Sequence, residues 1–137
     1  TDVILTQKQK EAEESGIAFD CKFIYPVDSN INAFDVSVIL NNAIENAFEG
    51  VNGCKDPYVS VLAYRKKNAY MLEVRNCISK GVEIDKETGL PETTKKDKRS
   101  HGFGLANIRK VAQKYYGDID INQDENSFTL TVMLMIE

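Results

Sequence analysis

Apolar side chains recur every three or four residues in two long stretches of the chain and alternate with polar ones in several shorter stretches. The first period belongs to helices and the second to strands. In residues 31–50, Val36, Ile39, Leu40, Ala43, Ile44, Ala47 and Phe48 form a broad apolar arc, while Asp35, Asn42, Glu45, Asn46 and Glu49 gather on the other side. Asn32 is placed to cap this helix, and Gly50 offers a stop. In residues 101–117, Leu105, Ile108, Val111, Ala112 and Tyr115 share one face, with Arg109, Lys110, Gln113 and Lys114 elsewhere and Gly117 as a stop. Strands are predicted over 17–25, 58–65, 69–76, 118–121 and 127–136, with the turns KKN and QDEN closing two hairpins. In the last strand Phe128, Leu130, Val132, Leu134 and Ile136 point one way, and Thr129, Thr131, Met133 and Met135 the other. Residues 1–15 form a polar helical tract ended by Ser15-Gly16 and read as the tail of a preceding helix or a linker, leaving 16–137 as the domain proper. The order of elements predicts an α+β fold, a two-layer sandwich with a mixed, mostly antiparallel sheet covered on one face by helices.

Composition narrows the class. A chain of 137 residues, 42% hydrophobic and 28% charged, supports a single domain with its own core. A net charge of -4 argues against nucleic acid as the principal partner, although the run KKDKR at 95–99 suits a phosphate-rich small ligand. Cys21, Cys54 and Cys77 are widely spaced beside a single histidine, which suggests neither a disulfide framework nor a zinc cluster and fits a reducing, cytosolic setting. No apolar run approaches the roughly 20 residues needed to cross a bilayer. The start at Thr1 without methionine leads us to expect a piece of a longer protein, whose remainder could carry membrane helices.

Four features carry candidate chemistry. Asn42 and Asn46 lie one turn apart, so their amide oxygens could face one ion or one phosphate, and oxygen donors of this kind suit magnesium. A solvated helix face is the plainer reading, but asparagine is a poor choice for one because it is a weak helix former. Gly102 and Gly104 run directly into a helix, exposing backbone N–H groups at its positive end; packing needs would equally place glycine there. Asn76 stands where the second hairpin strand runs out, as a binding group or simply a turn former. Residues 79–100 are polar and end in the basic run beside His101, which could donate to a phosphate oxygen. A connection of about 20 residues without structure inside a domain is commonly a lid or disordered.

In their order and spacing, NNAIENAFEG, the strand ending in Asn76, the basic loop and HGFGL resemble the ATP-binding catalytic domain of sensor histidine kinases, within the Bergerat (GHKL) superfamily. The subgroup they resemble most is the peptide-pheromone quorum-sensing receptor kinases of Gram-positive bacteria. The resemblance implies ATP and Mg2+ as ligands, with Asn46 coordinating the metal and Asn42 supporting the same cluster. It makes Glu45 the candidate to accept a proton during transfer, with Glu49 a weaker addition. Asn76 would contact adenine where most of the superfamily has Asp, and the subgroup shares this Asn. His101, Gly102, Gly104 and Leu105 of the glycine box would lie by the triphosphate, with Lys96 and Lys98 in an ATP lid at about 79–100. The partners implied are a His-bearing dimerisation domain of the same full-length protein, a homodimeric state when full length, and a response regulator. This domain would be cytoplasmic and the whole protein anchored in the cell membrane. A serine kinase of the anti-sigma-factor class and a nucleotide-binding regulatory module without kinase activity are the alternatives. The hydrolytic topoisomerase, chaperone and mismatch-repair branch has a Glu one turn before the metal-binding Asn, where this chain has Asn42.

Overall fold

In the computed structural model, which describes residues 2–27, 29–81, 83–90 and 103–137, three helices cover one five-stranded sheet. The elements are α1 (Asp2–Glu14), β1 (Ala18–Phe23), α2 (Ala33–Gly50), β2 (Tyr58–Lys66), β3 (Ala69–Cys77), α3 (Phe103–Lys114), β4 (Asp118–Gln123) and β5 (Ser127–Met135). The sheet order is β1-β2-β3-β5-β4, with β1 parallel to β2 and every other pair antiparallel. This is the mixed, mostly antiparallel α+β sandwich expected from the periodicity.

The alternation in β5 decides which face is covered. Phe128, Leu130, Val132, Leu134 and Ile136 are all buried beneath α2 and α3, whereas Met133 on the other face is 36% exposed. Val59, Val61 and Ala63 of β2 and Tyr70, Leu72 and Val74 of β3 continue the same buried layer. From above they meet Val36, Ile39, Leu40, Ala43 and Ile44 of α2 and Leu105, Ile108 and Ala112 of α3. A single apolar layer between two amphipathic helices and one sheet face is the main source of stability in such a fold. α1 lies beside α2 at the β1 edge of the sheet, where the buried Lys8 ammonium meets Glu11 at 3.5 Å and Glu45 at 3.2 Å.

Several boundaries differ from the sequence expectation. β1 is shorter than 17–25, and the hairpin turn is only Lys67-Asn68, with Lys66 paired to Ala69 and Lys67 in the left-handed region at φ 53°. β4 runs on to Gln123, because the turn is closed by Asp124, whose Oδ1 accepts from the N–H of Asn126 and Ser127 at 2.8 and 2.7 Å. Residues 83–90, expected to be structureless, contain a closed turn whose last residue, Leu90, joins the core.

Neither helix-ending glycine acts as a left-handed stop. α2 is capped by Val51 in the right-handed region, and after α3 the left-handed residue is Tyr116 at φ 57°. Gly117 is small for another reason, since a Cβ there would lie 1.7 Å from the carbonyl oxygen of Met133 in β5. Its hydrogen would have to be replaced by a methyl that the sheet backbone cannot yield to. Gly117→Ala is therefore expected to destabilise the fold by about 3 kcal/mol in urea unfolding. A loss below about 0.5 kcal/mol, the range of neutral surface changes, would contradict this contact.

Candidate functional site

α2 and α3 run antiparallel, and polar groups tie them at one end. The Asn32 side chain caps α2 by accepting from the Phe34 N–H at 2.7 Å, as expected. Asp35, only 8% exposed, accepts from the Tyr115 hydroxyl at the end of α3 and from Lys114 Nζ at 2.9 Å. The same hydroxyl accepts from the Asn32 N–H at 3.0 Å. Burial opposes ionisation of Asp35, but the hydrogen bonds from Tyr115 and Lys114 outweigh it and hold the carboxyl below its ordinary value. Burial and the Asp35 bond in turn push the Tyr115 hydroxyl up.

At the other end of the helix pair lie the expected site residues. Asn42 is half-buried, and its Nδ2 donates to the Val38 carbonyl at 2.9 Å. Its Oδ1 faces the first turn of α3, 3.8 Å from where a Cβ on Gly104 would stand. Gly104 itself is buried, and Leu105 is wholly buried in the core, so the first turn of α3 is seated firmly against this end of α2. One turn beyond Asn42, Asn46 is 7% exposed. A further turn on is Gly50, where a Cβ would come within 2.5 Å of Asn76 Nδ2. Asn42, Asn46 and Gly50 thus form one row at four-residue spacing, reaching from the start of α3 to Asn76 on β3.

Asn76 is the last but one residue of β3, which runs on to Cys77, and it lies opposite Val59 and Phe128 and is 2% exposed. Its Nδ2 donates to the Cys77 carbonyl at 2.8 Å, which leaves Oδ1 as the side of the amide suited to a ligand donor.

The supposed common polar face of α2 is divided. Asp35 and Asn46 are buried, Asp35 against the end of α3, while Glu45 and Glu49 are exposed. The Glu45 carboxylate is turned to α1 and bonded to Lys8 at 3.2 Å, so it does not join the Asn42–Asn46 row. Helix geometry explains the division, because successive residues are rotated by about 100°, placing Glu45 a quarter-turn or more from Asn46. Lys96, Lys98, His101 and Gly102 lie outside the described residues.

Sequence reasoning missed the Asp35–Tyr115–Lys114 link and the need for Gly50. Signals for both exist: Asp35 lies about three turns before Asn46 on nearly the same face of the helix, and Gly50 follows Asn46 by about one turn. A groove of about 920 Å³ between α1 and the end of α2 is lined in part by Glu11, Glu14, Phe48, Glu49 and Pro57. Its carboxylates repel a polyphosphate, and its lining includes neither Asn42 nor Gly104. The cysteines are free thiols, and burial with the Cys77 neighbour pushes Cys54 up to about 11, so it stays protonated at neutral pH.

The sequence matches the GHKL domain family over residues 31–135. No curated protein matches it. Among solved structures it is similar to the catalytic domain of histidine kinase ThkA, with a TM-score of 0.73 at 16% identity over 98% of this chain and 89% of that one. The Mycobacterial sensor histidine kinase MprB gives 0.66 at 13% identity, covering 99% of this chain and 95% of the other. Acinetobacter baumannii histidine kinase AdeS gives 0.65 at 12% identity, with 99% of this chain on 62% of that one.

The Asp35 link yields a pH-dependent prediction. A carboxyl held below its unfolded value contributes stability above about pH 4, and that contribution is lost as pH falls through the folded value. Asp35→Asn is expected to cost about 2 kcal/mol at pH 7, with the gap to the parent closing below about pH 4. A gap that is constant from pH 7 to pH 3 in denaturant titrations would contradict the charged link.

Proposed function

The chain belongs to the GHKL domain family, and from this we propose that it binds Mg–ATP between α2 and α3 as the catalytic domain of a protein histidine kinase. The observation that carries the reading is the row Asn42–Asn46–Gly50, which runs from the glycine-bearing start of α3 to the buried Asn76 amide. A row of that length suits an extended ligand with a phosphate end and a base end. N–H groups in the first turn of α3 would hold phosphate oxygens, where the helix end is positive. Asn76 Oδ1 would accept from the exocyclic amine of adenine, a bond that needs an acceptor but not a full charge.

The donor set fits magnesium. Among the described residues no three His, Cys, Asp or Glu side chains converge, so an ion here would rest on amide oxygen from Asn46 and Asn42, on phosphates and on water. When bound, Mg2+ would neutralise charge on the phosphates. The chain's own residues would then align the γ-phosphoryl group for in-line transfer to an imidazole on a separate dimerisation domain of the same full-length protein. Glu45 would take the imidazole proton only from the α1 side of α2, because its carboxylate is held there by Lys8. His101, Gly102, Lys96 and Lys98 would belong to the same proposed site by their resemblance to the family's motifs, and residues 16–137 would make up the catalytic unit after the helical tract of 1–15.

Asn76 in place of Asp, together with HGFGL, favours the peptide-pheromone receptor type. A response regulator as the final acceptor, a homodimeric whole protein and a membrane anchor outside this chain belong to the same proposal. Calorimetry is expected to show ATP binding that depends on Mg2+, and Asn46→Ala is expected to weaken it at least tenfold, roughly the lower end of what metal-site disruption costs. The same variant should fail to phosphorylate a supplied His-bearing helix domain. Equal binding with and without Mg2+, or unimpaired transfer by Asn46→Ala, would refute the assignment.

A further inference from the structure

The connection between α2 and β2 is laid against the end of β3 and the residues that follow it. Ser79 Oγ donates to the Asn52 carbonyl at 3.1 Å, and a Cβ on Gly53, whose φ is 87°, would stand 2.8 Å from the same oxygen. One residue on, Cys54 meets Cys77, the last residue of β3, and the two thiols are in hydrogen-bonding contact. Cys77 Sγ also accepts from the Tyr58 N–H at 3.3 Å, and its own S–H donates to the Tyr58 carbonyl at 3.8 Å. Both cysteines line an open cavity of about 420 Å³ together with Lys55, Asp56, Ser79 and Asn126, which gives a small polar solute a way to the pair. Cys77 is 7% exposed and paired with Ser127 of β5, whereas Cys54 stands in the connection, outside any helix or strand.

We propose that Cys54 and Cys77 close as a reversible disulfide when the chain meets a peroxide, and that the bond pins the 51–57 connection to β3 beside Asn76. Closure brings two sulfurs already in contact to about 2.0 Å, and Cys54 is the one that moves, because sheet pairing holds Cys77. The Cys77 sulfur, as thiolate, attacks one peroxide oxygen; the O–O bond breaks, and the departing hydroxide takes up the first thiol proton as water. The Cys54 sulfur then attacks the Cys77 sulfenic acid, forming the S–S bond and breaking the S–O bond, and the Cys54 proton leaves with hydroxide as a second water. Two thiols together lose two electrons, and the peroxide that gains them becomes two waters. Cys54 suits the second role because it keeps its proton at neutral pH and gives it up only as the S–O bond breaks. In a reducing compartment such a pair stays open until oxidant rises, and thiol exchange opens it again. Asn76 feels the change directly, since its Nδ2 donates to the Cys77 carbonyl at 2.8 Å. Cys21 lies in β1, away from this cavity, and serves as an internal control.

The test is to expose the reduced 137-residue chain to hydrogen peroxide, alkylate it with N-ethylmaleimide in denaturant and digest it without reduction. Mass spectrometry is expected to show two of the three thiols lost to alkylation, with the Cys54 and Cys77 peptides joined and lighter by two hydrogens and Cys21 alkylated. Dithiothreitol should restore all of them. Cys54 and Cys77 both alkylated, each oxidised separately to a sulfinic acid, or bridged to Cys21 or to a second chain would overturn the pair. In Cys54→Ser, Cys77 should stop at a sulfenic acid that dimedone traps, and an adduct found only on Cys54 in Cys77→Ser would overturn the order of attack. Nuclear magnetic resonance of the oxidised against the reduced chain should show the Asn76 side-chain amide shifted and that of Asn30, bonded to Met135 at the far end of β5, unmoved. A joined pair with an unmoved Asn76 amide would overturn the reach of the bond to that residue. Neither measurement contains nucleotide, so their outcome is separate from that of the Mg–ATP reading.

Discussion

The buried carboxylate of Asp35 fixes how the two principal helices lie on the sheet. A charge taken out of water is costly unless hydrogen bonds and an opposite charge replace the solvent. Here Tyr115 and Lys114, both from the end of α3, supply those partners, and the Asn32 N–H completes the coordination of the tyrosine hydroxyl. Because these donors come from an element far along the sequence, the carboxylate can be satisfied only when α3 is docked antiparallel against α2. Apolar packing alone would hold the helices to the sheet but tolerate sliding, since burial is non-directional. The polar link sets the register, and the register sets what stands opposite Asn42.

From that fixed end, spacing along α2 does the rest. Asn42 comes to face Gly104, Asn46 follows one turn on, and Gly50 admits the Asn76 amide against the helix. Gly117 gives a parallel case at the sheet, where the chain leaving α3 passes so close to Met133 that no side chain fits. In both, glycine is a requirement of distance between elements rather than of local backbone shape. The Mg–ATP site proposed for this family member is thus bounded by one helix row, one helix start and one strand, each held by contacts that do not themselves touch a ligand. α1 adds a separate influence through Lys8, which draws Glu45 away from that row.

Hydrophobic period made most of the fold legible. Every helix and strand has its counterpart in the pattern, and the face of β5 that would be buried follows from simple alternation. The strand ends were harder, because β1 stops and β4 continues for reasons of pairing and turn closure that lie in other segments. Asn42, Asn46, Gly104 and Asn76 were legible as candidates because their residue types are unusual at those positions and their order resembles a known family. What the sequence could not convey was long-range fit. Gly50 and Gly117 read locally as stops, Asp35 as a first-turn acid and Glu45 as a neighbour of Asn46, and local pattern does not convey that each also meets an element distant in the chain.

The central claim is that one extended ligand lies along the Asn42–Asn46–Gly50 row, with its phosphates at α3 and its base at Asn76. Titration of the isotopically labelled chain with Mg–ATP, followed by nuclear magnetic resonance of backbone and side-chain amides, addresses it most directly. The account predicts saturable shifts at Asn42, Asn46, Gly50, Asn76 and Gly104, with Asn122 and the outer residues of β4 unmoved. Shifts confined to the groove between α1 and the end of α2, or no saturable shifts at all, would contradict it.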